Sequence, residues 1–292
     1  MDFITGAKFQ DLSYVSLSKE EHRQFESKSE FGTYIDIDTF NPKSYDNPYI
    51  VYANNSLINQ TKQTILDSDL YNKLKQFKND FILILHNADQ DFEERHILFL
   101  EIEKCNHIYA QSVNIKHPKL TPIPMGIANS MWPHGDIEIL EKCIDTLPDI
   151  KTNLAYYNFS LEGEHRWHQR IKCREALCKN KFKWNETTSF GDYLNKLKDY
   201  KFCFSPPGNT LDCYRMWECL YLKVIPVCER NELTEYYSKL FPIVIVDDWN
   251  DITPKYLENI YEKEDINWNN YELLQFSNLF EHLQIKPYKN YK

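Results

Sequence analysis

The run Phe202-Cys203-Phe204-Ser205-Pro206-Pro207-Gly208-Asn209-Thr210-Leu211-Asp212-Cys213-Tyr214-Arg215-Met216-Trp217-Glu218, continuing to Val224-Ile225-Pro226-Val227, constrains the fold more than any other part of the chain. It reads as a buried strand, a loop rich in Pro and Gly, a helix with Arg and Glu one turn apart, and a second buried strand. A strand that stops at a glycine loop before a helix points backbone N–H groups at one spot. The helix dipole there favours an anion such as a pyrophosphate. An ordinary βαβ connection within a sheet is the competing reading of the same residues.

The rest of the chain repeats this grammar. The first fifty residues look loosely patterned, with Asn41-Pro42 and Asn47-Pro48, and a first strand is expected over 49–53. There follow a helix near 61–77, a strand over 81–85, a helix near 92–104, strands over 107–111 and 122–125, and a helix over 137–147. Pro148-Asp149 is the best linker candidate. Beyond it come a strand over 152–158, a helix near 164–178, a short helix near 193–198, the loop–helix unit, a helix near 233–240 and a strand over 243–246. A helix capped by Asp251 or Thr253 then ends near Glu262. Alternation at this spacing implies parallel sheets covered by helices. The expectation is an α/β chain with an N-terminal domain over 1–149, a second domain over 150–266 and a C-terminal segment over 267–292 whose helix crosses back to the first.

Composition narrows the function. With 292 residues and 42% apolar content the chain is long enough for two cores, and its formal charge of −9 excludes a sequence-blind attraction to nucleic acid. An anionic ligand must then be held by a few placed cations. Twenty Tyr, seventeen Phe and six Trp suit an aromatic core, and exposed Tyr and Trp also suit stacking on sugar rings. The N-terminus lacks an apolar h-region and no window approaches the ~20 apolar residues of a membrane span, so a soluble cytoplasmic protein is expected. The eight cysteines lack zinc spacing and read as free thiols.

Several segments resemble the exostosin-like glycosyltransferases, in particular their short soluble bacterial and viral members. The pattern of those members, Ser-Pro-x-Gly-Asn-Gly-x-Asp-Cys-x-Arg-x-Trp-Glu followed by a strand with Ile-Pro, is matched by Ser205, Pro206, Gly208, Asn209, Asp212, Cys213, Arg215, Trp217, Glu218, Ile225 and Pro226. Thr210, Tyr214 and Lys223 depart from it, standing where glycine, histidine and glycine are usual. Leu85-His86-Asn87-Ala88-Asp89, the segment from His117 through Ile123-Pro124-Met125-Gly126 to Trp132-Pro133-His134-Gly135, and Tyr157-Asn158-Phe159-Ser160 also look like the family, so the likeness spans roughly residues 80–250. The resemblance implies a GT-B architecture, two Rossmann-like α/β domains facing across a cleft. It also implies inverting, metal-independent transfer of a sugar from a nucleotide-sugar donor, with UDP favoured, to a hydroxyl of a glycan acceptor. No cofactor beyond the donor is then required. The alternatives are a fucosyltransferase-like enzyme using a GDP-sugar, and a glycan- or nucleotide-binding protein without activity.

Roles follow for individual residues. Arg166 and Arg170, four apart on the expected helix, would share a face and grip the diphosphate; a solvated face balanced by Glu162, Glu164 and Glu175 is the competing reading. Glu218 is placed for the ribose hydroxyls and Arg215 for a phosphate or the sugar, against a plain intrahelical ion pair. Ser205, Pro207, Gly208 and Asn209 shape the donor loop, and Asp212 caps the helix or holds a sugar hydroxyl. An inverting transfer needs a base, expected in the N-terminal domain where 81–85 ends: Asp89 first, His86 second, with Asn87 positioning the acceptor. Asp89 as N-cap of the helix near Phe92 is the alternative. His134 is a further acceptor-side candidate, although a lone loop histidine is more often structural. Asp36-Ile37-Asp38, Asp67-Ser68-Asp69 and Asp89-Gln90-Asp91 spell the D-x-D of metal-dependent transferases without its strand context, so no metal ligand is assigned. Asp247-Asp248-Trp249 ends a strand and reads as a surface turn or as part of a donor pocket.

Overall fold

The computed structural model describes residues 1–19, 34–45, 49–59, 66, 68–161, 166–186, 189–263 and 266–285. The chain is mixed α/β and forms two compact units, each built on its own all-parallel sheet. Ile4–Met125, joined by residues 280–285, carries six strands; Met1–Phe3 and Gly126–Leu279 carry four. Among the described residues no helix is long and apolar enough to cross a membrane.

In the six-stranded unit α1 (Gly6–Asp11) leads to β1 (Val15–Ser18) and β2 (Tyr34–Asp36), and β3 (Ile50–Asn54) follows. The sequence reading placed the first strand at 49–53 and so missed two. The cause lies in β1, where Val15, Ser16, Leu17 and Ser18 are all buried although half of them are polar. Ser13 Oγ bonds Gln10 O and Ser16 Oγ, both at 2.7 Å, which lets hydroxyls enter the core without a desolvation penalty. Next come α2 (Asp69–Leu74), β4 (Phe81–His86), β5 (Cys105–Gln111) and β6 (Leu120–Ile123). Ser68 caps α2, and residues 60–65 and 67 of the helix expected near 61–77 lie outside the described residues. The helix expected near 92–104 is instead a 3₁₀ stretch over Glu94–Glu101. Phe92 is taken into a parallel bridge with Val113, so helical winding can begin only beyond it. The strand order β2-β1-β3-β4-β5-β6 reverses direction beside β1.

The four-stranded unit contains α3 (Ile137–Asp145), β7 (Asn153–Tyr156), α4 (Trp167–Lys179), α5 (Phe190–Leu197), β8 (Tyr200–Phe204), α6 (Tyr214–Tyr221), β9 (Ile225–Glu229), α7 (Glu232–Tyr237), β10 (Val244–Val246) and α8 (Pro254–Lys263). Ser189, rather than a residue near 193, caps α5 through Asp192 N at 3.1 Å. The tail expected as one helix breaks into a 3₁₀ turn, Tyr271–Leu274, and α9 (Phe276–His282). Asp2 causes the break: its carbonyl accepts Phe276 N at 2.7 Å and its carboxylate Ser277 N at 3.0 Å. Strands run β10-β9-β8-β7, with Phe202 and Phe204 facing a core shared with Cys173, Leu177, Val227, Val246 and Leu257. All four carboxyl ends therefore lie along one edge, where ligands sit in open parallel sheets.

Helix α6 ends at a backbone position that suits glycine. Lys223, at φ 51°, is left-handed, with its own N–H on Leu220 O at 3.1 Å and that of Val224 on Cys219 O at 2.8 Å. A non-glycine residue there carries a cost of about 1 kcal/mol. Lys223→Gly should accordingly raise the unfolding free energy by about 0.5–1 kcal/mol in urea, less what the Lys223 contact over the Tyr271 ring contributes. A decrease would show that the side-chain contact outweighs the backbone strain.

Candidate functional site

The Pro-Gly loop follows β8 and is fastened from beneath. Trp217 is fully buried, edge-on to Tyr237 at 4.8 Å, and its Nε1 donates to Asp212 Oδ1 at 2.8 Å. The same oxygen accepts Cys213 N at 2.8 Å, so Asp212 locks the loop to α6, 1% exposed, and is not available to a sugar hydroxyl. It is not the helix cap either, since that position belongs to Cys213. Ser205 is buried, with its N–H on Val227 O at 2.9 Å and its hydroxyl 3.2 Å from the Cys213 thiol. Asn209 is half-buried on the loop. Gly208 needs neither a positive φ nor extra room: a Cβ there would meet Cys213 Cβ at 3.4 Å and Arg170 Nη2 at 3.5 Å, ordinary contacts.

Two guanidinium groups converge over this loop, and they are not the expected pair. Arg170 Nε donates to Pro207 O at 2.8 Å and Nη1 to Ser160 O at 2.9 Å. Arg215 Nη1 donates to Asn158 O at 2.5 Å, and its guanidinium lies 4.9 Å from the Tyr193 ring centre. The two side chains thus meet on the loop after β7, at carbonyls two residues apart, and Arg170 ties that loop to the one after β8. Among the described residues neither has a carboxylate within ion-pair distance. Burial lowers the Arg170 pKa, with Arg215 adding like-charge repulsion and the Cys213 thiol opposing. Burial also opposes the Arg215 charge, but Tyr193, Cys203 and Glu218 outweigh it and hold that pKa above the ordinary value.

Arg166 is the residue before the first turn of α4, on the side of the helix where its charge and that of Lys172 act on Glu229. Glu162 and Glu164, invoked to balance this helix, lie outside the described residues. Glu218 does not face a ribose. It is 4% exposed and accepts Tyr193 Oη at 2.7 Å, and burial raises its pKa against the pull of Arg215 and Tyr193. Tyr193, buried between Glu218 and Arg215, was missed in the sequence, because a tyrosine near the start of an amphipathic helix carries no pattern distinct from a core residue.

His134 belongs to the unit of the four-stranded sheet rather than to the other. Its ring stacks beside Trp132 at 6.1 Å and tilts against Tyr214 at 5.5 Å, and this partial burial lowers its pKa. Gly135 is required there, since a Cβ would lie 2.1 Å from Asn129 O.

In the six-stranded unit the expected base candidates cluster at the carboxyl end of β4. His86 is 1% exposed, stacked on Phe9 at 5.2 Å. Its Nε2 must carry the proton, because it faces Pro124 O at 2.9 Å, while Nδ1 accepts Asn87 N at 2.8 Å. Burial drives its pKa down to about 4, against the Pro124 carbonyl and the Asn87 side-chain oxygen, which favour the charged ring. His86 is thus a neutral structural group with both nitrogens engaged, which removes it as a general base. Asn87, at φ 64°, spends its N–H on His86 and Gln111 and its carbonyl on Asn54 Nδ2. Asp89 is exposed on the following loop and does not cap the 3₁₀ stretch, whose cap is Glu93. Its neighbour Asp91 is instead buried and accepts Ser112 Oγ at 2.5 Å. Asp36 folds its carboxylate back on Asp38 N at 2.8 Å. Among the described residues no group of three His, Cys, Asp or Glu side chains has the geometry of a metal site. All eight cysteines are free thiols, six of them buried.

A histidine whose pKa is lower folded than unfolded withdraws stability as acid protonates the unfolded chain. For His86 the window runs from pH 6.5 down to about 4, and the loss amounts to about 3 kcal/mol across it. His86→Gln should flatten the fall in unfolding free energy between pH 7 and pH 5 relative to the wild type, whatever its absolute cost; an unchanged slope would refute the neutral buried histidine. Compared with family models and with curated proteins, the chain matches none.

Proposed function

We propose that the chain is an inverting glycosyltransferase that takes a sugar from a nucleotide-sugar donor and passes it to a hydroxyl of a glycan acceptor. The observation that carries this reading is the Arg170 and Arg215 pair over the Pro207-Gly208 loop, at the carboxyl ends of β7 and β8. Two half-buried cations whose charges repel each other are costly without an anion between them. A diphosphate answers that cost. Guanidinium groups fixed by backbone carbonyls keep further N–H donors for phosphate oxygens and lose little freedom on binding.

In the reaction the acceptor oxygen attacks the anomeric carbon as the bond from that carbon to the diphosphate oxygen breaks. The arginine pair takes up the negative charge that develops on the leaving group. A base removes the acceptor proton on the opposite face of the sugar. Asp89, exposed beyond the carboxyl end of β4, is the remaining candidate once His86 is excluded. The reading brings with it the GT-B arrangement of two α/β units about a cleft, a UDP-sugar as favoured donor and a cytoplasmic site of action.

Four variants separate the roles. Arg215→Ala and Arg170→Ala should each weaken binding of UDP or GDP by about tenfold to a hundredfold, as expected for a charge-assisted contact of ~1.5–3 kcal/mol. Asp89→Asn should leave nucleotide affinity unchanged and abolish release of nucleoside diphosphate in the presence of acceptor. Gly208→Ala should keep wild-type stability within about 0.5 kcal/mol, since nothing in the fold excludes a methyl group, yet weaken nucleotide binding by crowding the loop. Undiminished affinity in both arginine variants would remove the site, and wild-type turnover in Asp89→Asn would remove the base.

A further inference from the structure

The segment that leads into α3 presents an apolar run to solvent. Met131, Trp132, Pro133 and His134 are four consecutive exposed side chains, with Met131 at 43% and Trp132 at 37% of full exposure. Such runs are avoided on protein surfaces unless they meet a ligand or partner. The backbone beneath them is fastened rather than loose. Trp132 N–H donates to Asn129 O at 3.0 Å, Gly135 N–H donates to Trp132 O at 2.9 Å, and Gly135 is buried against Asn129 where no side chain fits. The turn therefore holds the indole at a set place, and stacking on it costs little ordering.

Trp132 lines an open groove of about 520 Å³ together with Met131, Pro133, Asp136 and Glu138, the last two being the cap and part of the first turn of α3. Among the described residues the lining holds these two acids and no lysine, arginine or histidine, which turns away phosphates and other anions. One Asp136 oxygen caps α3 through Ile139 N at 3.2 Å, and Glu138 lies 3.7 Å from Lys142 in an exposed pair that costs little to open. The groove thus sets an apolar ring beside hydrogen-bond acceptors. A pyranose matches both, because one of its faces is a patch of C–H groups and its rim is a set of O–H donors.

The groove is also linked to the arginine pair. The Trp132 and His134 rings are 22° from parallel with centres 6.1 Å apart, and the His134 ring lies 5.5 Å from that of Tyr214, the first residue of α6 and the neighbour of Arg215. Aromatic groups thus run from the groove to the helix that carries one of the donor cations. The geometry points to this groove as a subsite for a sugar residue of the glycan acceptor, with the Trp132 indole stacked on the pyranose face and Asp136 and Glu138 accepting from its hydroxyls. The inference rests on the glycosyltransferase reading and moves part of acceptor recognition from the end of β4 to the unit that holds the donor loop.

Saturation-transfer NMR and calorimetric titration of the full chain with neutral oligosaccharides (maltotetraose, cellotetraose, chitotetraose, mannotetraose and galactotetraose) test it, with UDP and GDP titrated in parallel. At least one oligosaccharide should bind the wild type. Trp132→Ala should weaken that binding by about tenfold or more, Trp132→Phe, which keeps a ring, by less than about threefold, and Glu138→Ala by about threefold to tenfold. Nucleotide affinity should stay at the wild-type value in all three variants. A wild-type protein that binds nucleotide and no oligosaccharide would overturn the subsite and leave the donor reading standing, as would equal sugar affinity in wild type and Trp132→Ala. If Trp132→Ala loses nucleotide affinity too, Glu138→Ala decides, because that side chain is 84% exposed, and unchanged sugar affinity there would overturn the subsite. A protein that binds oligosaccharide and neither nucleotide would remove the donor reading and with it the acceptor role.

Discussion

The attachment of two guanidinium groups to the backbone at the carboxyl edge of the four-stranded sheet is the constraint from which the rest of that unit's chemistry follows. Arg170 reaches Pro207 O and Ser160 O, and Arg215 reaches Asn158 O, so each arginine joins loops far apart in sequence. Carbonyls satisfy some of their donors but neutralise none of their charge. Tyr193 touches both Arg215 and Glu218, offering a ring face to the cation and a hydroxyl to the carboxylate. Such a layered arrangement holds Arg215 in place by a cation–π contact without quenching its field in a direct ion pair. The positive charge is thereby kept available beside the loop.

The same layout accounts for the buried polar groups beneath. Asp212 is a desolvated carboxylate that accepts an indole N–H and a backbone N–H. It fixes the loop to α6 without drawing either arginine away from the edge.

Much of the α/β alternation was legible because strands such as 81–86 and 200–204 are apolar runs bounded by turns, and the helix cap Thr253 sits where sequence rules place it. The edges of the reading failed for physical reasons. A strand that is half serine, with Ser16 satisfied by Ser13 just before it, does not announce itself by hydrophobicity, as β1 shows. A bridge such as Phe92 to Val113 is a tertiary event that local propensity cannot register. Within the site, the residue types were legible but their partners were not. Helical spacing put Arg166 and Arg170 on one face, whereas Arg166 stands at the helix start with its charge toward Glu229 and Arg170 meets Arg215 from another helix. Spacing counts residues along one element; the pairing was decided by which loops those elements bring together.

The contrast between the two glutamates shows how burial sorts chemically identical groups. Both have pKa values raised by burial, so neither is a solvated surface acid. Glu218 sits in the second turn of a buried helix, and its oxygen is already bonded to Tyr193. Glu229 ends a parallel strand at an open groove beside α4 and has Lys172 and Arg166 to favour its charged form. Glu218, withdrawn and bonded, shapes the field around Arg215 and orients the ring beneath it. The sequence motif in which Arg215 and Glu218 stand one turn apart thus encodes the setting of a cation.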